Sequence, residues 1–521
     1  MIRYLLLAVL LTIACIAEAR IFPAEGSSLN YRIIGFTACK KDGAGGILQI
    51  AGGDIITDSA FEHHRILSLP LSGDQAVAEL PEFGAHYTWR IVSAKGKHRS
   101  GVLHHFSIAP LVYTNGIPRR LNVLRPAESQ YKNNYVFADD EGIMYDMAGK
   151  PVWALPHDKF GNDVRDLKVT PFGTITFLTA QCAYEINYNG DILWKGPNTG
   201  QVSGQNGEAY HHEFTRLANG HYMVMGNERL SAKARPPGYQ GLLIFEKGPD
   251  TAFLPPLYDK YTFGTIIEYD GKGNVIWSWK SFEYFNHSDL VKFIPGDEQE
   301  RSYIADMHPN AFYFDEGEQS VYLSFRTISR VIRIKYPEGT VTGEYGEKLE
   351  TGHQLQGNGM FCNQHACKRS AIGCLFLFNN NGCNPGPPKI KKFVEQGSAG
   401  ELKKIWEYTC TTGTDPATGN PVHSAGGGNV AELPDHSLFV CMGSIYGKLF
   451  IVNDDKQELW SALPERWEAS SGTWKPASEY RASMINGRKE LEKMIWKAAE
   501  HTAGSAEGIA HVGTISTKKG S

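Results

Sequence analysis

The constraint that narrows the fold most is a repeat. From about residue 120 the chain returns to one unit: a strand, a Gly/Asp/Asn turn, an apolar strand, a third strand, another turn and usually a tryptophan. The first copy, "NNYVFADDEGIMYDMAGKPVW", is followed by "DLKVTPFGTITFLTAQCAYEINYNGDILW", then by "HHEFTRLANGHYMVMGNE" with "GTIIEYDGKGNVIWSW". A fourth starts at "DMHPNAFYFDEGEQSVYLSFRTISRVIRIK", which reads as two strands around an acidic turn. The fifth is "QHACKRSAIGCLFLFNNNG" with "GELKKIWEYT", and the sixth runs through "GGGNVAELPDHSLFVCMGSIYGKLFIVNDDKQELWSA". Turns such as "LANG", "DGKG" and "YNG" supply residues that tolerate positive φ between strands. Four short strands per unit, in six units of roughly 50 to 70 residues, predict an all-β fold: a six-bladed β-propeller over residues 120–485.

Residues 20–115 alternate short apolar runs with turns, as in "NYRIIGFTA", "GGILQIAGG" and "YTWRIVSAKG", and predict a small antiparallel β-sandwich ahead of the propeller. Its His63, His64, His104 and His105 have no convergent metal ligands nearby and read as strand or surface histidines. The last segment, 486–521, places Leu491, Met494, Ile495 and Ala498 at helical spacing, so a C-terminal helix is expected, with a tail after about 502.

Residues 1–19 have the form of a secretory signal. Arg3 precedes an apolar run from Leu5 to Ile16, and Ala17-Glu18-Ala19 is a small-residue cleavage site. Cleavage after Ala19 is favoured over lipidation at Cys15, because Thr12 stands where lipidated chains usually carry leucine. The apolar run is short for a span and no second one follows, so a periplasmic protein without a membrane span is expected. Eight cysteines remain after cleavage, the nine of the chain less Cys15, in an oxidising setting. Cys362, Cys367, Cys374 and Cys383 lie five, seven and nine residues apart with no CxxC pair, which favours disulfides over zinc and leaves their pairing open. Cys182, Cys410 and Cys441 read as buried free thiols. A net charge of −4 without long charge runs gives no sign of a nucleic-acid surface.

When the copies are aligned on the turn after their first strand, three histidines fall into register. His212 lies eight residues before Gly220, His308 nine before Gly317, and His365 eight before Gly373. In a propeller such positions converge on the central channel. Three there, of only 18 histidines, suggest a site. Asn310 lies two residues after His308, on the same side of a strand, and Arg326 falls on the following strand. A permanently charged forked donor among imidazoles suits a tetrahedral oxyanion such as sulfate or phosphate. A three-histidine zinc site is the competitor, but a metal would repel Arg326 among its ligands. No metal and no cofactor are therefore expected, and acidic turns such as "FADDEG" read as turns rather than calcium loops. His211 alternates to the other strand face and is the weaker candidate. Arg330 and Arg333 read as solvated-face or edge residues, and Tyr135, Tyr145, Tyr184 and Tyr210 as core tyrosines.

At these residues the chain resembles the bacterial-type aryl-sulfate sulfotransferases, secreted six-bladed propellers with an N-terminal β-sandwich. The resemblance rests on "HHE" at 211–213, on His308, Asn310, Ser324 and Arg326 as "H-x-N … S-x-R", on Gln364, His365, Asn381 and Gly382 as "QH … NG", and on "YRA" at 480–482. It implies transfer of a sulfuryl group from a phenolic sulfate ester to a phenol acceptor, without a nucleotide donor. The chain is in keeping with this, having no phosphate-cradling G-x-x-x-x-G-K-[ST]. It further implies that His365 is the nucleophile, carrying the group as N-sulfohistidine in a ping-pong cycle, while His212, His308, Asn310 and Arg326 hold the sulfuryl oxygens. Two departures stand out. Ala366 follows His365 where an acidic residue often does, and the cysteines around the nucleophile outnumber the family's single disulfide. The resemblance also raises homodimerisation through the sandwich, although no residue identifies the surface. The alternative is a non-catalytic secreted propeller that binds a ligand or a protein.

Overall fold

A computed structural model describes residues 21–37, 46–93, 101–231, 260–285, 291–294, 297–303, 306–346, 360–382, 386–396, 401–410, 426–444 and 447–512, with side chains left undescribed at 231, 260, 291–294, 297–303 and 502–512. The expected signal segment 1–19, Cys15, Cys39 and Cys383 lie outside these residues.

The N-terminal part holds β1 (Ser27–Leu29), β2 (Ile33–Thr37), β3 (Gly46–Gly52), α1 (Asp58–His64), β4 (Arg65–Pro70), β5 (Gln75–Glu79), β6 (His86–Ser93) and β7 (His104–Ile108). Five of the strands form one sheet in the order β1-β7-β6-β3-β4, while β2 and β5 form a separate ribbon. The sheet is not purely antiparallel, since β1 runs parallel to β7. Ribbon and sheet share a core in which Phe36 meets Trp89 and Phe106 edge-on, with ring centroids at 5.2 and 5.9 Å.

Then follow β8 (Arg119–Arg125), β9 (Tyr135–Ala138), β10 (Ile143–Asp146), β11 (Pro151–Ala154), the short α2 (His157–Phe160), β12 (Val164–Val169), β13 (Ile175–Thr179), β14 (Ala183–Ile186) and β15 (Ile192–Lys195). After them come β16 (Phe214–Arg216), β17 (Tyr222–Ser231), β18 (Lys260–Tyr269), β19 (Val275–Lys280) and the pair β20 (Val291–Ile294) and β21 (Asp297–Tyr303). The chain continues through β22 (Pro309–Asp315), β23 (Ser320–Phe325), β24 (Arg330–Lys335), β25 (Val341–Gly346), β26 (His365–Arg369), β27 (Leu375–Asn379), β28 (Lys389–Gln396) and β29 (Glu401–Thr409). It ends with β30 (Asn429–Glu432), β31 (Leu438–Cys441), β32 (Leu449–Val452), β33 (Glu458–Glu468), β34 (Thr473–Pro476), β35 (Ala482–Ile485) and α3 (Arg488–Val512).

These strands pair as separate open sheets: β12 to β15, β16 to β19, β22 to β25 and β26 to β29 each in chain order, β30 to β34 with β8 added on β33, and β11-β10-β9-β35. The strand ladders stop at the edges of each, and packing together with hydrogen bonds and ion pairs joins them, as where β22 lies on β26 and β26 on β30. Among the described residues no sheet is closed into a barrel or a propeller. The expected six-bladed β-propeller behind a β-sandwich is thus corrected to an all-β architecture of several small, mostly antiparallel sheets with few helices. The segment 306–335, read as two strands, contains three.

Strand β35 brings the end of the chain back to pair with β9. Beyond it α3 buries Leu491, Met494, Ile495 and Ala498, and continues past residue 502, where a tail was expected. It approaches β2 so closely that a Cβ on Gly35 would lie 2.6 Å from Ile495 and 2.8 Å from Trp496. Only glycine fits that contact. Among the described residues no helix is long and apolar enough to cross a membrane.

The cysteine cluster differs from expectation. Cys362 is disulfide-bonded, but Cys367 and Cys374 are buried free thiols on either side of the β26–β27 turn. Cys410 and Cys441 are buried and free, and Cys182 is free and half-buried.

Candidate active site

The three histidines sit where the first strands of three sheets begin, and in each case the strand begins irregularly. His212 and His308, just ahead of β16 and β22, have left-handed backbones with φ of 60° and 56°. His365 opens β26, and the next residue, Ala366, has φ of 49° at a register shift against β27. Non-glycine residues take such angles only when their surroundings hold them there, which is commonest at functional sites.

That geometry gathers the side chains. The His212 ring lies 5.1 Å from His308 and 5.9 Å from Tyr480, and Tyr480 lies 6.5 Å from His365. Arg326 stands just past the end of β23 rather than on the strand, and its backbone N–H donates to the His308 carbonyl at 2.9 Å. Its carbonyl accepts from Asn363 Nδ2 at 3.1 Å, which ties the loop before β26 to the same corner. Asn310 is fully buried; its Nδ2 donates to the Gln364 carbonyl at 2.7 Å and its Oδ1 has no partner among the described residues. Gln364 spends its own amide on Ser324 Oγ and on the carbonyls of Phe325 and Arg330, so the "S-x-R" serine supports the loop.

His365 is 1% exposed. Its Nδ1 lies 2.7 Å from Asn380 Oδ1, and Asn380 Nδ2 donates to the Gly427 carbonyl at 3.0 Å. The second bond orients the carboxamide, so Nδ1 carries the hydrogen and Nε2 the lone pair. The Gly427 N–H approaches Nε2 at 3.3 Å, a long contact that a reacting group can displace. Gly427 has φ of 69°, and a Cβ there would meet Tyr480 at 2.8 Å, so the loop before β30 needs this glycine to reach the imidazole. Burial pushes His365 down to about 3, against the Asn380 hydrogen bond and with the charges of Arg481 and Arg326 adding to it. The imidazole is neutral across the ordinary pH range.

His211 and His212 form a close pair, Nδ1 to Nδ1 at 2.6 Å, so one ring donates and the other accepts. Part of each ring reaches a cavity, yet burial pushes His211 down to about 4 and His212 well below its usual value, with neighbouring histidines adding to both shifts. His211 was expected on the opposite strand face. The left-handed turn at His212 breaks strand alternation and puts both rings on the wall of one cavity of about 310 Å³, which Arg165, Leu178, Tyr210 and Tyr480 also line. Tyr210, read as core, is buried in a core cluster and also borders this space, and its hydroxyl donates to Tyr269 at 2.8 Å. Arg330, read as a solvated-face or edge residue, opens β24 but is 1% exposed and paired with Glu344 at 2.7 Å.

Beneath the histidines lies a buried charge network. Arg481 reaches Glu213 at 2.9 Å and Asp166 at 3.3 Å, and Lys168 and Lys368 reach Glu213 at 3.0 and 2.7 Å. Burial alone would raise Glu213, but Lys168, Lys368 and Arg481 together hold it below its usual range. Among the described residues no three His, Cys, Asp or Glu side chains come together in a metal-holding group.

Sequence reasoning brought out His212, His308, Asn310, Arg326 and His365, and the structure brings these into one region. It missed Asn380, naming its neighbour Asn381, and gave no role to Tyr480, Arg481 or Gly427. The run "LFNNNG" directly after an apolar strand was the available signal for Asn380.

A model of the arylsulfotransferase (ASST) family matches residues 257–445, a stretch that includes His308, Asn310, Arg326, His365, Asn380 and Gly427. The match suggests this family at the level of that domain and supports an enzymatic, transferase-like activity in general. No curated protein matches the chain. Solved structures similar to it include a protein of unknown function from Bacteroides caccae, at 12% identity over 68% of this chain and 99% of that one, TM-score 0.40. The gluconolactonase XC5397 from Xanthomonas campestris is similar at 10% identity over 68% and 97%, TM-score 0.32. A protein from Lactobacillus plantarum is similar at 11% identity over 85% and 99%, TM-score 0.28.

Proposed function

We propose that this protein moves a sulfuryl group from an aryl sulfate to a phenol by way of His365, without a nucleotide donor. The observation that carries the reading is the state of His365: an imidazole held by Asn380 as the Nδ1–H tautomer, kept neutral by burial, and set beside Arg326 in the same cluster as two further histidines.

In the first half-reaction the Nε2 lone pair attacks sulfur, the N–S bond forms, and the S–O bond to the ring breaks with its electron pair leaving on the phenolate. The hydrogen stays on Nδ1 and is donated to Asn380 Oδ1, which stabilises the positive charge that develops on the ring. In the second, the acceptor phenol attacks the same sulfur, its proton passes to an imidazole of the cluster, and the N–S pair returns to Nε2. That proton is then lost to solvent, from which the already released phenolate takes up its own. His212 is neutral in the free site, and the charge of a bound sulfate favours its protonated form, which fits it to accept that proton. By analogy with phosphoryl transfer the transition state is loose, so positioning and charge stabilisation do most of the work. Arg326 supplies a fixed cation for the sulfuryl oxygens, and Tyr210 and Tyr480 offer aromatic walls for the ring. Export to the periplasm, with cleavage after Ala19, belongs to the same proposal.

The test is incubation with p-nitrophenyl sulfate, with and without phenol, followed by nitrophenol release and the mass of the His365 peptide. Release that requires the acceptor, with one sulfuryl added at His365, is the expected result. Release with water alone makes the protein a sulfatase. No release with any of several aryl sulfates favours a non-catalytic ligand-binding protein.

A further inference from the structure

We propose that Arg481 is a positioning residue for sulfuryl transfer: its guanidinium grips the backbone carbonyls of His212 and Asn310, on two different sheets, and so sets where the imidazoles and the carboxamide stand. This rests on the function proposed above.

Arg481 immediately precedes β35, is 3% exposed, and lies next to Tyr480 in the cavity wall. Its Nη1 donates to the His212 carbonyl and its Nη2 to the Asn310 carbonyl, both at 2.6 Å. Those carbonyls belong to the segments that open β16 and β22, where the backbone is irregular at His212 and His308. A left-handed non-glycine residue persists when its own polar groups are claimed, and Arg481 claims the one at His212. Two parallel donors at a fixed spacing fix both distance and angle between the segments, which a point charge cannot do.

Charge balance alone does not account for the residue. Glu213 already has Lys168 and Lys368, and Lys168 also reaches Asp166 at 2.7 Å. Arg481 Nε, meanwhile, finds no partner among the described residues, so the guanidinium is turned toward the two carbonyls rather than arranged for the most ion pairs.

Arg481→Lys and Arg481→Met separate the two roles. Lysine keeps the charge but cannot span both carbonyls. With p-nitrophenyl sulfate and phenol, its kcat is expected to fall by at least about tenfold, with a cooperative thermal transition and an acid limb like that of the wild type. Methionine is expected to lower kcat by about a hundredfold and also to move the acid limb to higher pH, because a cation near His365 is gone. The groups facing His365, namely Arg326, His308 and Asn380, are unchanged in both variants, as are Asp139, Asp166, Glu213, Lys168 and Lys368 around position 481. A lysine variant with wild-type kcat overturns the inference. Failure of both variants to fold also overturns it, in favour of a purely structural residue. A wild-type protein inactive toward every aryl sulfate removes the proposed function itself and this inference with it, an outcome distinct from the other two.

Discussion

The chain contains the dipeptide His-His three times, at 63–64, 104–105 and 211–212, and the last two live in opposite worlds. At the N-terminal sheet, Glu25 lies between the rings, 3.0 Å from His105 Nδ1 and 3.4 Å from His104 Nδ1, and is itself largely exposed. His105 is pushed up, first by its bond to the Ile55 carbonyl and then by Glu25, while its partial burial pulls the other way. In the central cluster, burial is the leading cause and sends His211 and His212 down. The same residue type is thus made readier to hold a proton in one place and to refuse it in the other. Surrounding charge and water decide which, and only the second state suits an imidazole that must offer a lone pair.

The sharpest way to break this comparison is to remove one histidine of each kind. His365→Ala is expected to abolish turnover and the sulfuryl adduct, whereas His105→Ala leaves kcat unchanged; nitrophenol release and peptide mass check both. Persistence of transfer in His365→Ala removes the mechanism. Next in size, Arg326→Ala is expected to lower kcat by at least about tenfold, which corresponds to about 1.4 kcal/mol of transition-state stabilisation. Asn380→Asp keeps an acceptor for Nδ1–H but adds a negative charge, which raises His365 toward or above its usual 6.5 or so. The wild-type rate should stay level as pH drops until His365 begins to protonate, near its folded value of about 3. The variant's rate should fall earlier, on passing its raised value. Coincident pH–rate profiles would deny that the ring reacts in its neutral form.

Much of the central cluster was legible because histidine is scarce and the strand–turn unit repeats, so register alone could single out His212, His308 and His365. The supports were not legible, for a physical reason. Asn380, Gly427 and Arg481 reach the site from the ends of other strands and loops, more than a dozen residues away in sequence, and no local period marks them. His211 was placed on the wrong face because alternation assumes extended backbone, and His212 is left-handed. Arg326 was put on a strand that ends one residue earlier. The repeat marked units of four strands, and five sheets have four, but the sheet of β30 to β34 takes in β8 as a sixth strand, and strand patterning does not say how sheets join. The pairing shows them open and separate, packed by side chains instead of closed.

The two environments also predict opposite dependences of stability on pH. His365 has a folded value of about 3 against about 6.5 unfolded, and His211 about 4, so the unfolded chain binds more protons between those limits. Stability should therefore be full above about pH 6.5 and decline as pH falls, by about 1.4 kcal/mol per unit for each such histidine until its folded value is reached. His365→Gln should flatten that acid slope in urea melts taken between pH 7 and 4.5. An unchanged slope would mean that the ring protonates in place without unfolding pressure.

The smallest effect belongs to the outer pair. His105 is raised, so its contribution is fully present below about pH 6.5 and is lost as pH rises through its folded value. Burial acts most strongly on Glu25 and would raise it, but the backbone, side chain and charge of His105 together outweigh that and leave it lowered. Its contribution is present above its usual range and lost as pH falls through the folded value. The two windows overlap between about pH 4.5 and 6.5, where the pair is charged on both sides. Because Glu25 is more than half exposed, solvent screening holds such a pair to the low end of surface ion pairs, roughly a few tenths of a kcal/mol. Glu25→Gln should thus lower the thermal midpoint only slightly at pH 5.5, and not at all at pH 9 or in high salt. A deficit that persists at pH 9 would assign Glu25 to packing and to its bond with the His105 backbone, leaving the charge contrast between the two histidine pairs to the inner one alone.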